Sequence, residues 1–354
     1  MKVKLSFLVF VLLYPFFELN AFENSITISV RHSQSKYFIT SPDVRNVNVQ
    51  CENQANFNLQ NGTLPVQLYF KLEPSETITN CKVNASLLSD THNRILIEEI
   101  YPDEEQELYY STISKLDKHL FGNTEFSQKK LNSFVERLTA YSKSNDKRLA
   151  TPALLRLMLY HQKAYQFELS NQYVQGLKDV LENDSQLQEL IYIFLAENLF
   201  SLQQYEKTLL ILSQNFALEN LLQTGSILNV RILTLYGFSQ VLSGELQNNI
   251  TLQFDGKRIL EAALKHCNAT HNKDCRSEIY NGLATYYRVA GDLDEAAKML
   301  ELAITSLESR MGLDNTEQLS SYTNNLALIY EWTGDLAKSQ HYLRRSIYYD
   351  KQIE

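Results

Sequence analysis

The stretch from His266 to Cys275, HCNATHNKDC, brings together residue types that often do chemistry. Cysteine and histidine are common ligands of zinc, so Cys267, His271 and Cys275 with His266 could hold a zinc ion. The two cysteines also flank a predicted loop between two helices, where a disulfide would clamp the loop. The disulfide is the ordinary interpretation of this spacing, and a zinc site or free thiols are the alternatives.

The N-terminus, MKVKLSFLVFVLLYPFFELNAFENS, has the pattern of a signal peptide, with Lys2 and Lys4 before an apolar run and the small Ala21 at a cleavage site. The run from Leu5 to Phe17 is thirteen residues long, whereas a membrane-spanning helix needs about 20. We therefore expect residues 1–21 to be removed. The mature chain would be periplasmic or secreted, with no membrane span.

Export would place the four cysteines in an oxidising compartment, where an even number indicates disulfides. One pair falls in each half of the chain. We predict that Cys51 is bonded to Cys81, and Cys267 to Cys275.

The rest of the chain contains no recognisable catalytic motif. Its serines, histidines and acids never fall in a Gly-x-Ser-x-Gly or His-Glu-x-x-His context, and no glycine-rich phosphate loop is present. The 354 residues carry a net charge of -8 without a basic stripe, which argues against a nucleic-acid partner. We therefore predict a protein that is not an enzyme and that uses no cofactor.

The pattern of apolar residues changes along the chain and predicts an α+β protein. Residues 22–102 hold six strand-like stretches, SITISV, KYFIT, VNVQC, PVQLYFKL, TITNCKV and RILIEEI, separated by turn-forming residues. They predict a small β-sandwich-like domain. From residue 103 the apolar residues recur every three or four positions, which indicates helices. One helix is expected to begin at Pro152 with Thr151 as its N-cap.

The C-terminal part contains an internal repeat. The stretch NGLATYYRVAGDLDEAAKML, residues 281–300, matches NNLALIYEWTGDLAKSQHYL, residues 324–343, at eight of twenty positions. Leucine, alanine and tyrosine at i, i+1 and i+4 lie on one helical face, and the small alanine lets another helix approach closely. Gly291 and Gly334 would end the first helix of each pair in a left-handed turn. A helix pair of this kind cannot bury its apolar face alone, so the copies must stack.

This pattern resembles the tetratricopeptide repeat. The 43-residue spacing and the Asn324-Asn325-Leu326-Ala327 motif are similar to the kinesin-light-chain subtype, although Asn315-Thr316 stand where that subtype has His-Pro. Weaker copies lie upstream, one with Gln203 in the glycine position and one with Gly237 and Gly244, followed by ten apparently inserted residues, QNNITLQFDG. We predict an all-α superhelical solenoid over 185–354, with 103–184 as a helical bridge or further degenerate repeats.

The resemblance implies a site, because the first helices of tetratricopeptide repeats line a concave groove that binds protein or peptide ligands. Asparagine amides could hold a peptide backbone, charged residues could add selectivity, and Trp332 could anchor a partner. Counted from the Leu-Ala landmark, the groove positions are Glu278, Asn281, Thr285, Arg288, Val289, Ser321, Asn324, Leu328, Glu331 and Trp332.

Two functions fit these expectations. The first is an exported, non-enzymatic scaffold that binds a protein or peptide in the groove. The alternative is the N-terminal recognition region of a longer bacterial enzyme or signalling receptor, since chains that resemble this one can carry a caspase-like protease or a membrane-anchored signalling domain after the repeats. A gene that continues past codon 354 into a further domain would favour the alternative, and a stop codon would favour the scaffold.

Overall fold

A computed structural model describes most of this chain. The backbone is described for the strands between residues 24 and 100, whose side chains are outside the description apart from Gln50. The helical part is described from residue 104 to residue 353, with gaps at 121–125, 182–184, 224, 270–274 and 310–315. The predicted signal peptide, residues 1–21, lies outside the described residues.

The described strands pair in antiparallel fashion in two sheets. One sheet has the order β1-β6-β3-β4 and the other the order β5-β2-β7. Strand β4 lies outside the six stretches that the sequence pattern predicted. The packing of the two sheets into a sandwich remains a prediction. The strands are β1 Asn24–His32, β2 Lys36–Thr40, β3 Val44–Cys51, β4 Phe57–Gln60, β5 Tyr69–Leu72, β6 Ser75–Leu87 and β7 Ile97–Ile100.

The remainder of the described chain is helical, which confirms the predicted all-α repeat region. The helices are α1 Glu104–Leu120, α2 Gln128–Tyr141, α3 Lys147–Lys163, α4 Phe167–Val180, α5 Ser185–Ser201, α6 Tyr205–Asn215, α7 Leu218–Gln223, α8 Ile227–Leu246, α9 Ile250–Ala269, α10 Arg276–Ala290, α11 Leu293–Glu308, α12 Thr316–Thr333 and α13 Leu336–Ile353.

Helix α3 begins earlier than predicted. The carbonyl of Asp146 accepts hydrogen bonds from the backbone N–H groups of Leu149 and Ala150, so the helix starts at Lys147. Pro152 therefore lies inside the helix rather than at its first position. Proline lacks a backbone N–H, so α3 gives up one internal hydrogen bond near its N-terminal end.

The described residues form two compact units, which meet along the chain at Ile191 and Tyr192. The first holds the strands and helices α1–α4, together with the first turns of α5. The second holds the rest of α5 and helices α6–α13. The repeats found in the sequence belong to the second unit.

Left-handed residues join the two helices of the hairpins α3/α4, α5/α6, α8/α9, α10/α11 and α12/α13. Gly291 and Gly334 have φ angles of 83° and 84°, as the sequence predicted. The N–H of Asp292 bonds to the carbonyl of Tyr287, and the N–H of Gly291 bonds to that of Arg288, which closes the end of α10. Non-glycine residues take the same role elsewhere, namely Tyr165, Gln203 and Asn248, with φ angles of 58°, 59° and 52°.

The turn at Asn248 shows that the hairpin α8/α9 keeps the 43-residue repeat, so the predicted insertion in this hairpin is wrong. Asn248 precedes Gly291 by the same 43 residues that separate Gly291 from Gly334. Gly237 and Gly244 therefore lie inside α8, and the supposed insertion QNNITLQFDG supplies the turn and the first part of α9. The pair α8/α9 thus has the same spacing as the two pairs that follow it.

The glycines of α8 and α9 have a packing role instead. A Cβ atom on Gly256 would lie 2.6 Å from the carbonyl oxygen of Gly237, and one on Gly237 would lie 2.7 Å from the carbonyl oxygen of Gly256. The two helices can cross this closely only because neither residue has a side chain. Backbone atoms form the obstacle, so they cannot move aside as a flexible side chain would.

We expect Gly256→Ala to lower the free energy of unfolding by about 1 kcal/mol, since an overpacking cost of about 1–3 kcal/mol exceeds the gain in helix propensity. Gly176→Ala in α4 is the matched control, because its new methyl group meets only the flexible side chain of Leu154. Urea unfolding followed by circular dichroism measures both variants. Equal stability of the two would show that the close helix crossing does not constrain residue 256.

A shared apolar core joins successive repeats in the second unit. The landmark residues Leu326 and Ala296 have no exposed surface, and Leu300 and Ile304 of α11 are buried against α12. Burial of these side chains between hairpins explains why the sequence repeats them at fixed spacing.

Candidate functional site

The predicted groove residues come from α10 and α12, the first helices of two successive hairpins. Their spacing of 3, 4 and 3 residues places them on one face of each helix. Exposure differs along this face. Asn281, Thr285 and Ser321 are 8%, 7% and 9% exposed, whereas Trp332 is 42% exposed. Four residues are partly buried, namely Glu278, Val289, Asn324 and Leu328, and Glu331 is exposed.

Arg288 is held by Glu245, a residue outside the predicted groove set. Its Nη1 and Nη2 atoms donate to the two carboxylate oxygens of Glu245 on α8, at 2.9 and 2.8 Å. This paired geometry joins the first helices of adjacent hairpins. Glu245 lies 43 residues before Arg288, and Glu331 lies 43 residues after it. The repeat spacing was therefore the signal that could have identified Glu245.

The positive charge of Arg288 is thus offset by Glu245 within the protein. Among the described residues, Glu331 forms no ion pair. Glu331 therefore offers a negative charge to a ligand, beside the exposed ring of Trp332.

The amides of Asn281 and Asn324 take no hydrogen bond from, and give none to, the residues that the structure describes. Asn281 nevertheless has little exposed surface. Its backbone carbonyl accepts a hydrogen bond from the hydroxyl of Thr285 at 3.0 Å. Because no described residue pairs with either amide, both have a donor and an acceptor to offer to a ligand. An unpaired buried amide costs stability, and a ligand that pairs with it would recover that cost.

A second charged pair connects the first helices further upstream. Glu197 of α5 has no exposed surface and pairs with Arg231 of α8, which is 12% exposed. The signal in the sequence was a charged residue within the apolar stretch IFLAENLF. The first helices α5, α8 and α10 are therefore linked by two ion pairs, which support the face that α10 and α12 present.

The two cysteines of the candidate zinc cluster bond to each other. Cys267 and Cys275 form the predicted disulfide, with Cα atoms 6.0 Å apart, so neither sulfur is available as a zinc ligand in this state. His271 lies outside the described residues. His266 instead contacts the carbonyl oxygen of Leu222, with its Nε2 atom 2.9 Å away. In the described part of the chain, no three histidine, cysteine or acidic residues are grouped so that they could hold a metal ion. The disulfide ties α9 to the N-terminal end of α10.

Cys51 and Cys81 face each other as register partners on β3 and β6. Opposed residues on antiparallel strands have Cα atoms about 4.5–5.5 Å apart, a separation that a disulfide can bridge. Their side chains lie outside the description, so the bond between them stays a prediction.

None of the described helices is both long and apolar enough to cross a lipid bilayer.

Comparisons with known proteins agree with this architecture. Residues 277–317 match the family model described as tetratricopeptide repeat. A solved structure of a Rap protein complexed with competence and sporulation factor is similar at a TM-score of 0.55 and 16% identity, covering 71% of this chain and 66% of that one. A structure of BtubC (BKLC) from P. vanneervenii has a TM-score of 0.45 and 15% identity, covering 71% of this chain and 93% of that one. Comparison with curated proteins gives no match.

The chain is thus a protein with tetratricopeptide-type helical repeats, a fold that is typically non-catalytic. This chain covers 66% of the Rap structure, which is less than two thirds of its length. At 16% identity, the similarity supports a shared fold and nothing further.

Proposed function

We propose that this protein is a non-enzymatic scaffold that binds an extended peptide segment along the face formed by α10 and α12. The observation that supports this most is the pair of asparagine amides, Asn281 and Asn324, at equivalent positions of successive hairpins. Each amide offers a donor and an acceptor, and neither is used by a described residue.

The character of the ligand follows from the surrounding residues. An extended backbone carries one N–H and one C=O per residue, so repeated amides suit it better than they suit a globular surface. Trp332 supplies apolar area at one end, and Glu331 adds a negative charge. The expected ligand therefore carries an apolar side chain and a basic residue close together. The similar Rap protein was solved with a bound factor, which fits a ligand-binding role for this fold.

The test is a selection of peptides from a random library displayed on phage, with the purified full-length chain as the target. We expect Asn281→Ala and Asn324→Ala each to weaken the selected peptide about 5-fold, as the loss of about 1 kcal/mol from one hydrogen bond predicts. Asn132→Ala is the control, because Asn132 is an exposed amide on α2. Peptides that bind both groove variants as tightly as wild type would contradict the proposal.

We further propose that the protein is exported and processed near Ala21. The Cys267–Cys275 disulfide supports this, since disulfides persist in oxidising compartments and are rare in the cytosol. N-terminal sequencing of the native protein tests the proposal. A mature chain that begins near Phe22 supports it, and a cytoplasmic chain that begins at Met1 contradicts it.

A further inference from the structure

The outer side of α13 carries apolar residues that the repeat buries one hairpin earlier. Leu343 and Ile347 are 44% and 47% exposed. Their equivalents 43 residues earlier, Leu300 and Ile304 of α11, are only 2% and 3% exposed. The same apolar pattern is therefore covered on α11 and uncovered on α13. We call Leu343, Ile347 and the charged residues beside them the α13 face.

The cover of α11 shows what shape fits such a face. Leu300 and Ile304 pack with Leu319, Tyr322 and Leu326, which lie on the apolar side of α12. Tyr342 and Tyr349 of α13 pack against the edge of the same core, so α12 supplies most of the apolar cover rather than all of it. A helix in the corresponding position would bury Leu343 and Ile347 in the same way.

Two acidic residues of α11 bind the hairpin that covers it. Glu301 accepts a hydrogen bond from the Tyr330 hydroxyl at 2.7 Å and lies 3.4 Å from the Tyr342 hydroxyl. Burial and the Glu301 hydrogen bond raise the pKa of Tyr330 above its usual value, so its hydroxyl remains a donor. Glu308 pairs with Arg345 of α13. These two repeat positions therefore point toward the neighbouring hairpin.

The same positions on α13 have the opposite charge. Arg344 stands 43 residues after Glu301, and Lys351 stands 43 residues after Glu308, and both are exposed. Lys338 likewise replaces Glu295. The acidic Asp350 accepts a hydrogen bond from Ser320 at 2.5 Å, so it is engaged within the hairpin. Helix α12 covers α11 and donates the Tyr330 hydroxyl to Glu301. A helix that covers the α13 face must instead supply carboxylates, because it meets Arg344 and Lys351.

We propose that the α13 face docks an acidic amphipathic helix of a partner protein. The apolar stripe of that helix covers Leu343 and Ile347, and its acidic residues pair with Arg344 and Lys351. A second copy of this chain fits less well, because two α13 faces would oppose arginine and lysine residues of like charge. This surface is separate from the asparagine face of α10 and α12 and does not depend on it.

A designed helix tests this directly. The probe is a fluorescent, helix-stapled peptide with the sequence of residues 316–333 that carries Tyr330→Glu, and the reference is the same peptide without that change. We expect the full-length chain to bind the acidic probe roughly tenfold more tightly than the reference. In the chain, Ile347→Asp should weaken the acidic probe by about tenfold or more, and Arg344→Glu should reverse the preference.

Two variants serve as controls. Leu210→Asp places the same charge at a side chain that is 53% exposed on α6, and it should leave binding unchanged. Asn281→Ala should also have no effect, which separates this result from the outcome for the groove. Equal binding of both probes, or binding of neither, overturns the proposal. Dimerisation that Ile347→Asp abolishes would also overturn it, because a second copy would then cover the face. A longer native chain whose next helix lies on the α13 face would overturn it in the same way.

Discussion

Asp117→Ala is expected to lower the free energy of unfolding of the first unit by about 3–5 kcal/mol, the usual cost of breaking a buried ion pair. Asp117 and Arg156 connect α1 and α3, and their side chains are 3% and 0% exposed. The guanidinium donates to both carboxylate oxygens, at 3.0 and 2.9 Å. Burial raises the pKa of Asp117, and Arg156 opposes this effect. Removal of the carboxylate would leave a charged guanidinium in the core.

The matched control is the double variant Asp117→Leu with Arg156→Met. Apolar side chains of similar size can replace a buried ion pair at little cost, so we expect the double variant to be clearly more stable than Asp117→Ala. Chemical unfolding followed by circular dichroism and by tyrosine fluorescence measures both proteins. If the single variant is as stable as the double variant, the unpaired charge is not the source of the loss.

The second large effect concerns ligand binding at Trp332. We expect Trp332→Ala to weaken a groove-binding peptide by about 2 kcal/mol, or roughly 30-fold in Kd, as anchor aromatic residues do. The ring is 42% exposed at the C-terminal end of α12, next to Glu331, so it can cover a ligand side chain.

Isothermal titration of a library-selected peptide measures this change, and thermal unfolding checks the fold. Phe254→Ala is the aromatic control, because Phe254 is 50% exposed on α9, a second helix of its hairpin. The account requires that Phe254→Ala binds like wild type. A loss at Phe254 that equals the loss at Trp332 would place the ligand on the other side of the hairpins.

The repeated turns show how far the sequence predicts this fold. The left-handed conformation of Gly291 and Gly334 was predictable, because glycine is the usual residue at the end of a helix. Asn248, Gln203 and Tyr165 adopt the same conformation without that signature. Each of these turns is closed by the same pair of backbone hydrogen bonds as the turn at Gly291, and residue type alone does not reveal that pair. Gly237 and Gly244, which the sequence pattern placed in a weaker repeat copy, lie inside α8 and allow close helix contact.

The arrangement of the candidate residues was easier to predict from the sequence than their surroundings. The Leu-Ala landmark placed Asn281 and Asn324 on matching faces of α10 and α12, and the structure keeps them there. That Asn281 is buried and Trp332 exposed depends on neighbouring helices, which residue spacing alone does not specify. Long-range ion pairs are harder still to predict. Asp117 and Arg156 are 39 residues apart and share no local pattern, whereas Glu245 and Arg288 share the repeat spacing.

The central claim is that the ligand lies on the first helices of the hairpins, and site-specific photo-crosslinking tests it most directly. A benzophenone amino acid replaces Leu328, a partly buried residue of the α12 face, or Leu302, which is 38% exposed on α11. Each protein is irradiated with a library-selected peptide and analysed by mass spectrometry. We predict crosslinks from residue 328 and none from residue 302. Crosslinks from residue 302 alone would contradict the account.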